Sequence, residues 1–98
     1  MILIKGAGDL ATGVAHRLKK CGFDIVMTEI SEPTTVRRTV AFSQAVYDKE
    51  VEIEGIKAVL VTKEYDVYKI IRDGNIAIIV DEDAEITDKI KPNIIIDA

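Results

Sequence analysis

The first thirteen residues limit most strongly what this chain can fold into. An apolar run from Met1 to Lys5 leads directly into a turn of the form G-x-G-x-x-A. Glycines permit a tight turn and let the backbone approach a phosphate, and the N-terminus of a following helix offers unpaired N–H groups. The pattern of strand, glycine turn and helix therefore predicts a nucleotide-binding loop. Its residues are Gly6, Ala7, Gly8, Asp9, Leu10 and Ala11.

Four apolar residues after the turn recur at helical spacing, which predicts an amphipathic helix with one buried stripe. The members of this stripe are Leu10, Val14, Leu18 and Cys21. On this pattern Thr12 and His16 face water, and Cys21 is a small core residue in a reducing compartment. Gly22 is expected to end the helix, and residues 23–28 to form a second strand.

An acidic residue follows the second strand at the distance that a dinucleotide-binding unit requires. Glu29 stands twenty-one positions after Gly8, where a carboxylate accepts hydrogen bonds from the ribose hydroxyls of an adenosine. Arg37 and Arg38 follow at the start of the next predicted helix, and arginines there accommodate a ribose 2′-phosphate. Glu29 therefore favours NAD and the arginine pair favours NADP, unless the pair is only a solvated helix face.

Negative charge gathers where a phosphate is expected. Asp9 directly follows Gly8, so its carboxylate opposes phosphate binding unless it caps the first helix or shares a divalent cation with the ligand. Asp81 and Asp97 each follow or end a predicted strand. In a parallel sheet both lie with Glu29 at the carboxyl edge, where open α/β sheets bind ligands.

The rest of the chain departs once from simple alternation of strands and helices. Residues 34–47 predict a helix that carries Val36, Val40 and Tyr47 inward. Two alternating runs then flank a Glu-Gly pair at 54–55, which predicts an inserted β-hairpin. An apolar run at 76–80 is typical of an interior strand, and 93–97 of a last strand. The predicted fold is α/β: a Rossmann-like three-layer fold with a mostly parallel sheet and an inserted β-hairpin.

Composition narrows the class of protein. With 98 residues, of which 48% are hydrophobic, the chain suits a single domain over residues 1–98. A net charge of −4 argues against nucleic acid, and no apolar run approaches the roughly 20 residues of a membrane span, so a cytoplasmic protein is expected. One histidine and one cysteine form no catalytic or metal-binding constellation. A last strand without a covering helix predicts an N-terminal fragment of a longer protein, or a homodimer.

Three blocks of this sequence together resemble a known family. They are Ile4-Lys-Gly-Ala-Gly-Asp-Leu-Ala-Thr-Gly-Val-Ala-His16, Val26-Met-Thr-Glu29, and Val36-Arg-Arg-Thr-Val-Ala-Phe-Ser43 with Ala45-Val-Tyr47. They resemble the N-terminal part of the accessory proteins linked to selenium-dependent molybdenum hydroxylases, a family similar to the Rossmann domain of xanthine dehydrogenase accessory factors. The resemblance implies a role in hydroxylase maturation or molybdenum cofactor handling, with a molybdenum hydroxylase as partner. It implies no reaction.

Three classes of function remain open at this point. The first is the nucleotide-binding domain of a cofactor-maturation protein. The second is a regulatory module that binds its nucleotide as an isolated dimer without turnover, and the third is the cofactor domain of an enzyme whose catalytic half lies elsewhere. The expected ligand is NAD or another adenine nucleotide, while S-adenosylmethionine and a molybdopterin nucleotide stay open.

Overall fold

The computed structural model of the chain describes residues 1–31, 41–63, 65–81 and 86–97. Within these ranges, strands and helices follow one another in an α/β arrangement. In chain order the elements are β1 (Ile2–Lys5), α1 (Asp9–Lys20), β2 (Ile25–Glu29), a 3-10 turn (Phe42–Gln44) running into α2 (Ala45–Asp48), β3 (Glu50–Ile53), β4 (Ile56–Leu60), α3 (Asp66–Arg72), β5 (Ile76–Val80), α4 (Thr87–Ile90) and β6 (Ile94–Asp97).

The strands form one sheet in the order β3-β4-β5-β2-β1-β6. All neighbouring pairs are parallel except β3 with β4. The inserted hairpin is therefore confirmed, and its turn residues Glu54 and Gly55 have φ of 47° and 85°, the left-handed values that a two-residue hairpin turn needs. β5 lies between β4 and β2, which confirms the prediction of an interior strand.

Both faces of the sheet are covered by helices. Ile2 and Ile4 share a core cluster with residues of α1 and α2, whereas Leu3 shares one with residues of α3 and α4. The chain moves from β1 to β2 in the opposite direction to its move from β4 to β5, and right-handed crossovers then place α1 and α3 on opposite faces. Strands covered on both sides are predominantly apolar, which explains the uninterrupted apolar run in β5.

The buried side of α1 differs from the predicted stripe. Ala11, Thr12 and Ala15 are the buried residues of this helix, and Leu18 packs against their cluster. Leu10 is 84% exposed, Val14 is exposed and Cys21 is an exposed free thiol, so the core assignment of these three and the water-facing assignment of Thr12 are wrong. The helical period was right but its phase was not, because the residues facing the sheet are small ones that let the helix lie close to it.

The segment before the hairpin is only partly within the described ranges. Val36 and Val40 lie outside them. The described part is the 3-10 turn followed by α2, with Phe42 and Ala45 buried. Ala41 before this turn is extended, so the predicted helix does not run unbroken to Tyr47. Tyr47 was predicted to point inward, but its side chain is 43% exposed, so that prediction is wrong.

Substituting alanine for glycine is expected to change the free energy of unfolding in opposite directions at two positions. Gly13 lies inside α1 and a Cβ there would meet nothing within 4 Å, so Gly13→Ala is expected to raise the free energy of unfolding by up to about 1 kcal/mol. Gly74 ends α3 with a φ of 86°, so Gly74→Ala is expected to lower it by about 1 kcal/mol or more. Urea denaturation of both variants measures their free energies of unfolding. Changes of the same sign and size would contradict the different backbone roles given to the two glycines.

Candidate functional site

The candidate site lies where the carboxyl ends of the parallel strands meet. β1 is flanked by β2 on one side and by β6 on the other. The chain leaves β1 towards β2, and the later strand β6 returns on the opposite side of β1. Such a reversal opens a crevice at the carboxyl edge of the sheet, which is where open α/β sheets bind their ligands. The glycine loop between β1 and α1 lies at this crevice.

The loop brings the start of α1 to the crevice. Gly6 has a φ of 103°, a conformation that suits glycine, and its N–H donates to the carbonyl of Thr28 at 2.7 Å. Gly8 is the N-cap of α1 with an extended backbone, and its carbonyl accepts the first helical hydrogen bond, from the N–H of Thr12 at 2.8 Å. The N–H groups of the first turn have no acceptor within their own helix. They are therefore suited to hold an anion.

Ala7, in the middle of the loop, is fully buried and both of its backbone polar groups are engaged. Its N–H donates to Oε2 of Glu29 at 2.9 Å. Its carbonyl accepts from the N–H of Ser43 at 2.9 Å and from Oγ1 of Thr12 at 3.2 Å. The amides that remain for a phosphate are therefore those after Ala7, at the beginning of α1.

Glu29 ends β2 and faces the loop. While Oε2 accepts from Ala7, Oε1 accepts from the N–H of Ile30 at 2.9 Å. A carboxylate oxygen has two accepting positions, so each oxygen keeps one for a further donor. The side chain can thus hold the loop in place and still accept hydrogen bonds from a pair of ribose hydroxyls.

The other acidic residues at this edge differ in their roles. Asp9 is exposed in the first turn of α1, and no side-chain bond caps that helix, so the alternative in which Asp9 caps it is wrong. Oδ2 of Asp81 accepts from the N–H of Ile86 at 2.8 Å, which holds the chain at the start of α4. Asp97 is exposed at the end of β6, in register with Lys5 of β1. Asp81 thus has a structural role, whereas Asp9 and Asp97 leave the edge acidic.

The structure brings together most of the residues that the sequence predicted for this site. The loop residues from Gly6 to Leu10 follow the carboxyl end of β1 and the carboxylate of Glu29 bonds to this loop at Ala7, while the side chain of Ala11 is buried. Arg37 and Arg38 lie outside the described residues and stay predictions.

Sequence reasoning missed the residues whose hydrogen bonds hold the loop in place from the interior of the domain. Thr12 accepts a hydrogen bond from the N–H of Phe42 at 2.9 Å, and Ser43 bonds the loop directly. One signal could have found Thr12. If Ala11 and Ala15 are taken as the sheet contact of α1, the residue next to Ala11 falls at the rim of that contact, where a hydroxyl needs a partner.

A second concave surface runs beside α1, on the side of the hairpin. This groove has a volume of about 720 Å³ and includes His16 and Glu54 in its wall. Nε2 of His16 is buried 3.6 Å from Oε2 of Glu54 without a hydrogen-bond partner, and only 14% of the histidine side chain is exposed. The prediction that His16 faces water is therefore wrong.

Two searches of the described ranges bear on other classes of site. No set of three or more histidine, cysteine, aspartate and glutamate residues there is arranged to hold a metal ion. Nor do these ranges contain a helix long and apolar enough to cross a membrane.

Fold and site together define an α/β protein with a glycine loop and a carboxylate at the carboxyl edge of its sheet. Over 98 residues the chain is 43% identical to the uncharacterized protein YqeB of Escherichia coli strain K12, a match that covers 100% of this chain and 18% of the relative. The chain thus spans less than a fifth of the length of that relative. No protein-family model matches the chain, and no solved structure matches it.

Proposed function

We propose that this domain is Rossmann-like and binds a nucleotide at the loop from Gly6 to Ala11. The observation that carries the proposal is the hydrogen bond of 2.9 Å from the N–H of Ala7 to Glu29. It places a carboxylate that still has accepting capacity beside a helix N-terminus at the crevice of the sheet. Hydroxyl acceptors next to an anion site are what a nucleoside diphosphate requires.

The chemistry of the site favours one class of nucleotide. The pyrophosphate lies against the first-turn N–H groups of α1, and the adenosine ribose donates its hydroxyls to Glu29. A 2′-phosphate at that ribose would face the carboxylate at short range, where like charges repel. The proposed ligand is therefore NAD or another adenine nucleotide with a free 2′-hydroxyl, rather than NADP.

The wider role that we propose rests on the three sequence blocks. Their resemblance to the accessory proteins of selenium-dependent molybdenum hydroxylases supports a cytoplasmic role in hydroxylase maturation or molybdenum cofactor handling. The partner would then be a molybdenum hydroxylase. A molybdopterin nucleotide also carries a pyrophosphate, so it belongs among the ligands to be tested at the same loop.

Gly8→Val separates ligand approach from loop folding. Gly8 has φ of −74° and ψ of −166°, values that any residue adopts, so a side chain there adds no backbone strain. In the proposed binding mode, the added side chain would occupy the space through which the phosphate approaches. We expect a nucleotide at 100 times its Kd to stabilise the wild-type domain by about 2.7 kcal/mol, which is roughly 10 °C or more in Tm for a domain of this size. Gly8→Val should lose that shift.

The measurement is a thermal-shift screen with NAD, NADP, ATP, S-adenosylmethionine and cytidine nucleotides. Gly13→Ala serves as the matched control, because it changes a glycine of the same helix at a position with open space. It should keep the full shift. A folded wild-type domain that responds to none of these compounds would contradict the proposed function, and NADP preferred over NAD would transfer the ribose contact to Arg37 and Arg38.

A further inference from the structure

We propose that Thr12 is a positioning residue whose hydroxyl sets the direction of the phosphate-binding amide of Gly8 before any ligand is present. The part of this inference that concerns affinity rests on the proposed function. The part that concerns the loop itself does not, because it is a statement about the ligand-free protein.

The hydroxyl of Thr12 donates one hydrogen bond and accepts another. Its side chain is buried, with 5% of the residue exposed. Oγ1 donates to the carbonyl of Ala7 at 3.2 Å and accepts from the N–H of Phe42 at 2.9 Å. Serine offers the same donor and acceptor, whereas valine has the same shape but neither function.

The Ala7 carbonyl is held by two donors from different parts of the fold. One is Thr12 on α1, and the other is the N–H of Ser43 in the 3-10 turn, at 2.9 Å. On the other side of the same residue, the Ala7 N–H is held by Glu29 at the end of β2. Three elements therefore meet at one loop residue, and two of them, β2 and the 3-10 turn, are distant from it in sequence.

Because the peptide bond is planar, anchoring the Ala7 carbonyl also fixes the direction of the Gly8 N–H. The carbonyl of Ala7 and the N–H of Gly8 belong to one peptide unit, and in a trans peptide these two groups point in opposite directions. No peptide bond in the described ranges is cis. Since the carbonyl points to Thr12 and Ser43, the N–H of Gly8 points away from these two residues.

A loop that is already ordered loses less freedom when a ligand binds. Gly6 and Gly8 flank Ala7, and glycines give the backbone more freedom than any other residue. The Thr12 hydroxyl removes that freedom in the folded protein, so the ligand does not have to. We expect Thr12→Val to raise the Kd for NAD about tenfold, which corresponds to about 1.4 kcal/mol.

The experiment compares Thr12→Val, Thr12→Ser and the wild type, with Thr12→Ala as a second hydroxyl-free variant if the valine protein does not fold. Ile70→Val serves as the control for general destabilisation, because Ile70 is buried in the core cluster on the other face of the sheet. Amide hydrogen exchange is measured without ligand, and the Kd for NAD by calorimetry.

In the hydroxyl-free variants we expect the amides of Ala7 and Ser43 to exchange at least tenfold faster, with the amides of β5 unchanged. Thr12→Ser and Ile70→Val should keep the wild-type exchange of these loop amides and a Kd within about twofold. Unchanged loop exchange in Thr12→Val, or a serine variant that behaves like the valine variant, would overturn the inference. Faster loop exchange in a domain that binds no nucleotide would overturn the proposed function and leave the role of Thr12 standing.

Discussion

Replacing Phe42 by alanine is expected to lower the free energy of unfolding by about 3–5 kcal/mol. Among the described residues, Phe42 is the largest fully buried side chain, and its core cluster contains the alanines that α1 turns toward the sheet. Such short neighbours cannot close over the cavity that the ring would leave. Domains of this size have a total stability of about 5–15 kcal/mol, so the variant should be close to unfolding.

The second phenylalanine of the chain is the matched control. Phe23 is 46% exposed, so Phe23→Ala removes the same atoms from a half-solvated position and should cost under about 1 kcal/mol. Urea denaturation of the two variants gives the comparison. Similar losses for Phe23→Ala and Phe42→Ala would show that the segment after residue 41 does not pack as described here.

Glu29→Gln is expected to weaken NAD binding by about 10- to 150-fold. Hydrogen bonds to a charged group contribute about 1.5–3 kcal/mol, and glutamine replaces one of the two carboxylate oxygens with a donor. The amide also cannot accept from both Ala7 and Ile30 as the carboxylate does at 2.9 Å. The preference for NAD over NADP should narrow in the same variant, because the charge that repels a 2′-phosphate is gone.

Calorimetric titration with NAD and with NADP measures both effects. Glu54→Gln is the control, because this substitution removes the same charge from the hairpin turn. The Glu54 side chain is 78% exposed. The control substitution should leave both affinities unaltered. An unchanged Kd for NAD in Glu29→Gln would contradict the proposed contact between Glu29 and the ribose. Phosphate binding at the loop would not be affected by that result.

Spacing along the chain predicted several elements of the fold. The strand, glycine turn and helix at the start are present, and Glu29 ends the second strand and accepts a hydrogen bond from the loop. The hairpin at Glu54 and Gly55 and the interior position of β5 were also predicted. Apart from the spacing between Gly8 and Glu29, these features depend on patterns within a few residues, such as a glycine pair or an apolar run.

The prediction for α1 shows what such local patterns do not determine. Periodicity identified a helix but assigned Leu10 and Cys21 to its core side, and both are exposed. The side that is buried carries alanines and Thr12, because the distance between helix and sheet decides which residues fit there. That distance belongs to the packed molecule, and in the sequence only the small residues Ala11 and Ala15 point to it.

The sequence by itself determined that a glycine loop and an acidic residue end neighbouring elements of an α/β fold, because hydrophobic period and glycine conformation act locally. Only the tertiary structure decided how that loop is held. The bond between Thr12 and Phe42 joins residues 30 positions apart. Such a contact forms only when the helix and the 3-10 turn pack on the same face of the sheet. The direction of the loop amides is therefore a property of the fold rather than of the glycine motif.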